Sequence, residues 1–215
     1  MPEPTSHSVA ERAHPENKAF RREVRFWLRR GIVPWVSIPK KPYLKAMKYR
    51  YRWVDGFAAG KTVLDVPCGM GWGMSMISRA ARRIGVDLDA NSIVEARQRY
   101  GKVAEFHVGS MAELPLDDDS VDIVCCLEGI EHVPVEVGTQ FLAESARVLR
   151  PDGQLLISSP HHTAGGHSGN PHHIHEYQPD ELRARLERQF NIEDVHSRAV
   201  DVMTITYFHT TVKPR

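Results

Sequence analysis

Long apolar runs are missing from this sequence, and no internal repeat or low-complexity tract is found beyond one histidine cluster. Nothing in it approaches the roughly 18 consecutive apolar residues that a membrane-spanning helix needs, so a soluble chain with no membrane partner is expected. Cysteine is scarce. Of the three, Cys125 and Cys126 are adjacent within a strand-like run and Cys68 stands apart, which argues against a disulfide framework and for a reducing, cytoplasmic setting. Residues 1–13 lack the charged start and apolar core of a secretory signal and hold little to fold, so a flexible tail is expected there. Acidic residues are nearly absent from one segment: between Lys18 and Arg52, twelve Lys and Arg face the single acid Glu23, although the whole chain carries a net charge of only +1. What is present, 41% hydrophobic residues in a chain of 215, suffices for the core of one domain.

The most informative stretch runs from Thr62 to Gly73, TVLDVPCGMGWG. Thr62, Val63, Leu64 and Val66 read as a short buried strand, and Pro67, Gly69, Gly71 and Gly73 crowd into a turn before an apolar helical pattern. Glycine has no Cβ and tolerates positive φ, so such a turn lets backbone approach a ligand closely. Roughly 20 residues further on, Asp87 ends a second strand, Arg83 to Asp87, where an acid commonly holds a ribose diol. A helix from about Asn91 to Tyr100 follows. Strands near Val103 to Val108 and Val121 to Leu127 come next, each expected to precede a helical segment. This alternation implies a doubly wound α/β sheet with its ligand site at the strands' carboxyl ends. A nicotinamide dinucleotide would suit the same pattern.

The segments VLDVPCGMGWG, IGVDLDANSIVEAR, GSMAELPLDDDSVDIVCCLEGIEHV and FLAESARVLRPDGQLLISSP, in that order and spacing, resemble the class I S-adenosylmethionine-dependent methyltransferases over roughly residues 60–160. The resemblance implies a Rossmann-like, seven-stranded, mostly parallel sheet with one antiparallel strand and helices on both faces, occupying residues 60–215. It also implies S-adenosylmethionine as cofactor, with Asp65, Gly69 and Gly71 at the methionine moiety and Asp87 at the ribose. Leu88, Met111 and Leu127 complete the expected cofactor wall. Two positions depart from the family pattern: Pro67 replaces the usual first glycine, and Ser110 stands where an Asp often reads the adenine.

The fourth strand ends in LEGIEHV. If Glu128 to His132 open a helix or form one turn, the i, i+3 and i+4 spacing sets Glu128, Glu131 and His132 on one face, a plausible divalent-metal site. An arrangement in which the histidine packs and one glutamate caps a helix fits the same residues. After a fifth strand, about Gln154 to Ser159, a loop carries six of the twelve histidines between His161 and His175 and leads to a helix opening near Pro179, with Asp180 and Glu181 in its first turn.

The pattern ExxEH followed by HxHEY resembles the metal-dependent 2′-O-methyltransferases that modify the terminal ribose of small RNAs. Its first half resembles some ubiquinone-pathway O-methyltransferases, and NPHHIHEY resembles small sugar and glycoside methyltransferases, including those of methylmannose synthesis. Carried over, the metal ligands are Glu128, Glu131, His132 and His173, with Glu176-Tyr177 in place of Glu-Trp. A divalent cation there, Mg or Mn, would chelate two adjacent hydroxyls of a sugar or oligosaccharide and lower the pKa of one. Glu128, His132 and His161 are the catalytic candidates, and without a metal His132 or His161 would act as general base.

The segment from residue 14 to residue 59 is expected to be helical, with Phe20, Val24, Trp27 and Leu28 on one stripe and the arginines on its solvated face. In related methyltransferases such a segment covers the cofactor, so a lid is expected. Its basic and aromatic residues could also bind nucleic acid, or a second copy as a homodimer. Asn191 to Ser197 and Val202 to Val212 read as two final strands, with Tyr207 and His209 candidates for the acceptor pocket.

Overall fold

A computed structural model describes residues 40–162, 166–200 and 203–214, with side chains from 45 onward. The expected tail over 1–13 and the stripe formed by Phe20, Val24, Trp27 and Leu28 lie outside the described residues. Seven strands make one sheet: β1 Thr62–Asp65, β2 Arg82–Asp87, β3 Glu105–Val108, β4 Val121–Leu127, β5 Leu149–His162, β6 Phe190–Val200 and β7 Met203–Val212, in the order β3-β2-β1-β4-β5-β7-β6. Strands β1 to β5 pair in parallel, and β7 runs antiparallel to both β5 and β6. This is the mostly parallel sheet with one antiparallel strand that the resemblance implies.

Both faces of the sheet are covered, which explains why its central strands read as continuous apolar runs and not as alternating ones. Side chains still alternate. Leu64, Val66, Val124, Cys126, Leu155 and Ile157 point to one core with Phe141, Leu142, Leu182 and Leu186 from helices α3 (Val135–Val148) and α4 (Pro179–Leu186). Val63, Ile123, Cys125, Leu127 and Leu156 point to the other, against α1 (Lys40–Phe57) and α2 (Ala90–Tyr100). Asp89 caps α2, its carboxylate accepting from the backbone N–H of Asn91 and Ser92. Among the described residues no helix is long and apolar enough to cross a membrane.

Three local expectations are corrected. No α-helix follows the glycine-rich turn; Trp72–Met76 form a 3-10 turn, because the interval to β2 is too short for a full crossover helix. The face is closed instead by Val54 of α1 and Ala58 just past its end, packed with Met74 and Ile77. Nor does a helix follow β3. That segment holds Pro115 and the Asp117–Asp119 run, and it is tied down as a loop by Arg147 of α3, which donates to the carbonyls of Leu114 and Leu116. Finally, Glu128 is not on a helix with Glu131 and His132: it takes φ 55, and only Ile130–His132 form a 3-10 turn.

Candidate active site

The glycine-rich turn leaves β1 at Asp65, which is completely buried beneath it. One carboxylate oxygen accepts from the Tyr51 hydroxyl at 3.2 Å and the other from the Cys125 thiol at 3.5 Å. Burial pushes the Asp65 carboxyl up to about 7, against these hydrogen bonds. Gly69 and Gly71 both have positive φ, 54° and 74°. At Gly71 a Cβ would lie 2.5 Å from the Phe106 ring, and at Gly73 it would lie 1.9 Å from the Tyr51 ring. The turn therefore needs glycine both to bend and to let β3 and α1 close against it.

Asp87 ends β2 almost wholly buried, where it accepts from the backbone N–H of Gly69 at 2.8 Å and of Asp89 at 2.9 Å. It thus ties the glycine-rich turn to the turn that follows β2. Burial is the main influence raising its carboxyl pKa. Leu88 is 73% exposed directly after it, an apolar side chain held in the open beside the expected nucleoside. Met111 and Leu127 are buried nearby in the two cores, and the Ser110 hydroxyl is engaged by the backbone N–H of Ala112 at 3.1 Å. Pro67 packs toward the neighbouring turn, so that a Cβ on Gly129 would lie 2.4 Å from its ring. The proline connects the glycine-rich turn to the carboxyl end of β4.

At that end the structure brings Glu131, His132 and His173 together, with one ligand atom from each lying within 4.8 Å of the others. Glu131 is fully buried. Its Oε2 accepts from the Ser159 hydroxyl at 3.3 Å, while its Oε1 has no hydrogen-bond partner and lies 3.9 Å from His132 Nε2. Burial, then the charge of Glu128, pushes the Glu131 carboxyl well above the usual range. His132 donates from Nδ1 to the His172 carbonyl at 2.8 Å, which leaves Nε2 as a lone-pair donor, and burial lowers its pKa to about 4, so the ring is neutral. A buried carboxylate oxygen without a hydrogen-bond partner and an imidazole nitrogen with a free lone pair beside it form a donor set that a cation fits.

Glu128 departs from the expected ligand set. Its carboxylate is 2.7 Å from the Arg50 guanidinium of α1, and it stands outside the Glu131, His132 and His173 group. The reason is backbone: the left-handed φ at Glu128 turns its side chain away from the face that an i, i+3 spacing predicts. Of the loop histidines, only His173 joins the group. His172 contributes its carbonyl, His175 pairs with Glu181 of α4 at 2.9 Å, and His167 bonds the His173 carbonyl at 3.0 Å. His161, on β5, is half-buried; its Nδ1 has no hydrogen-bond partner, and burial lowers its pKa. The loop is fastened to the site by main chain, since the N–H groups of Ile174 and His175 both donate to the Glu131 carbonyl.

Tyr207 and His209 lie under α1. Tyr207 stacks on His196 with ring centroids 4.9 Å apart and meets Trp53 and Tyr49 edge-on, while His209 packs on Phe57. Arg50 and Tyr51, which reach the carboxylates at the ends of β4 and β1, were not singled out by sequence reasoning. Their only signal is the basic, aromatic composition of the segment before β1.

Residues 64–157, which span the buried Asp65, the glycine-rich turn and Asp87, match the family model described as a methyltransferase domain. The chain is 41% identical over 142 residues to a probable S-adenosylmethionine-dependent methyltransferase of Mycolicibacterium smegmatis, covering 63% of this chain and 54% of that protein. It is 35% identical over 126 residues to the ubiquinone biosynthesis O-methyltransferase of Aromatoleum aromaticum, covering 55% of this chain and 53% of that one. The chain thus spans about half the length of the curated relatives it matches. Among solved structures, the YcgJ protein of Bacillus subtilis superposes with a TM-score of 0.65 at 17% identity, covering 78% of this chain and 99% of that one, which speaks for the fold alone.

Proposed function

We propose that this chain transfers the methyl group of S-adenosylmethionine to a hydroxyl of a sugar or glycoside, with a divalent cation held by Glu131, His132 and His173. The observation that carries the proposal is the buried Glu131 Oε1, which lacks a hydrogen-bond partner and faces the free nitrogen of a neutral histidine. A buried polar atom left unpaired costs about 1–3 kcal/mol, so its persistence favours a missing partner. One carboxylate and two imidazoles suit Mn, Fe or Zn better than Mg. The similarity to an O-methyltransferase favours a hydroxyl acceptor over a nitrogen or carbon one.

The sulfonium methyl is already electrophilic, so the protein's work is to align an acceptor and make it nucleophilic. When bound, the cation would supply Lewis acidity that lowers the pKa of a coordinated hydroxyl. Gly69, Gly71 and Asp65 would seat the methionine end, and Asp87 with Leu88 would seat the nucleoside. Glu131, His132 and His173 would set the acceptor's oxygen at the carboxyl end of β4, beside the turn that Pro67 connects to it. Arg50 keeps Glu128 neutralised at the same strand end. A second reading rests on His161, whose buried Nδ1 lacks a partner: in a metal-free reaction it would accept the hydroxyl proton.

Transfer of a labelled methyl group to a panel of vicinal-diol sugars, glycosides and an RNA oligonucleotide, with EDTA and with Mn restored, tests both readings. Product that disappears with EDTA and returns with Mn supports the metal reading. Product indifferent to EDTA but lost in His161→Ala supports the histidine base. Product on RNA alone would move the acceptor from sugars to a terminal ribose.

A further inference from the structure

The loop that carries His173 closes on a carboxylate that the reaction itself does not use. Glu176 is buried, and among the described residues its hydrogen-bond donors come from within its own loop: the backbone N–H and hydroxyl of Ser168, and Nδ1 of His173 at 2.5 Å from Oε1. The Ser168 N–H donates to Glu176 Oε2 and its hydroxyl to Oε1, so Nδ1 of His173 meets an accepting oxygen and is the nitrogen that carries a proton. His132 is oriented in the same sense by a different group, the His172 carbonyl. Both imidazoles therefore turn the same nitrogen outward, with ring centroids 5.0 Å apart.

We infer that Glu176 is a positioning residue that holds His173 as its Nδ1–H tautomer, so that Nε2 is presented beside Glu131 and His132. The inference rests on the metal reading given above only for what Nε2 is presented to. The tautomer itself is a property of the metal-free chain. Ser168 serves a different end, since it fixes the loop through Glu176 without touching the imidazole. Glu176 thus has two tasks, loop closure and ring orientation, and the second can be separated from the first.

The test combines imidazole NMR of the metal-free protein with calorimetric titration of Mn into the full chain. In the wild type the His173 spectrum should show Nδ1–H. In Glu176→Ala it should move to the Nε2–H form that free histidine prefers, and Mn binding should weaken about 10- to 100-fold, as for other partners that orient metal-binding histidines. Glu176→Gln, which keeps the volume and an acceptor oxygen, should fold with an unchanged circular dichroism spectrum and lie between the two. Ser168→Ala should keep both the tautomer and the Mn affinity of the wild type. An Nε2–H tautomer in the wild type would overturn the inference, as would an affinity loss in Ser168→Ala equal to that in Glu176→Ala. A wild type that binds no Mn yet shows the Nδ1–H form, lost in Glu176→Ala, would sink the metal reading and leave the positioning role standing.

Discussion

At the glycine-rich turn the buried acids are satisfied from within the protein: Asp65 by Tyr51 and Cys125, Asp87 by two backbone N–H groups. Across Pro67, at the ends of β4 and β5, Glu131 Oε1 and His161 Nδ1 are buried with no partner. A cofactor bound by backbone and shape needs a finished cradle, because its contacts are with a turn that must already exist. A site for a cation and an acceptor hydroxyl needs open valences, since those are what it binds with. The two regions at the carboxyl ends of the strands therefore differ in how completely their polar groups are paired, and four experiments probe that difference.

The largest effect is expected at Gly71. Placing alanine there forces a side chain to a φ of 74° and to within 2.5 Å of the Phe106 ring, at a cost of about 4 kcal/mol from backbone strain and overpacking. Urea unfolding should show the loss and calorimetry should show S-adenosylmethionine binding abolished. A stable Gly71→Ala variant with intact cofactor binding would mean that the turn is less finished than it looks.

Next comes the pH dependence of Asp65. Its folded pKa of about 7 lies above its ordinary value of 3.8, so between those values the folded state holds more protons than the unfolded one. Stability from this group is full below about pH 4, falls as pH rises, and is gone above about pH 7. At about 1.4 kcal/mol per pKa unit the effect reaches up to about 4 kcal/mol. Urea midpoints from pH 4 to pH 8 should decline in the wild type relative to Asp65→Asn, and parallel curves would refute the assignment.

The unfinished half is where the proposed cation would act. Mn at about 100 times its dissociation constant should stabilise the wild type by about 2.7 kcal/mol. Glu131→Gln, which mimics the protonated carboxyl, should match the metal-free wild type in stability and show no response to Mn in a thermal melt. An equal rise in both proteins would place the cation elsewhere.

Ser159→Ala should have the smallest effect. Losing its hydrogen bond to Glu131 Oε2 should cost about 1 kcal/mol in denaturant unfolding. A much larger loss would show that the acid–histidine half is more tightly paired than its open atoms indicate.

Much of the fold was legible in the residues. The apolar runs around Val63, Ile84 and Val124 marked buried parallel strands, and the glycines with Asp87 marked a tight turn and the end of a second strand, because each signal lies within a few consecutive residues and depends on steric limits that any chain obeys. Asp87 and the turn could be read because a βα turn is a local structure. Glu131, His132 and His173 could be nominated but not assembled. Their meeting depends on the Ile174 and His175 N–H groups reaching the Glu131 carbonyl, contacts across more than forty positions that no periodicity encodes. Glu128 illustrates the converse: its spacing fitted a helix face, and a single left-handed φ sent it to Arg50.

By itself the sequence determined the class of sheet and the place of the glycine-rich turn, because strand burial, glycine conformations and helix caps are short-range consequences of residue type. Only the tertiary structure decided which of the six histidines between His161 and His175 faces the acids and which carboxylate pairs with α1, because those depend on contacts between segments that meet only once the sheet has closed.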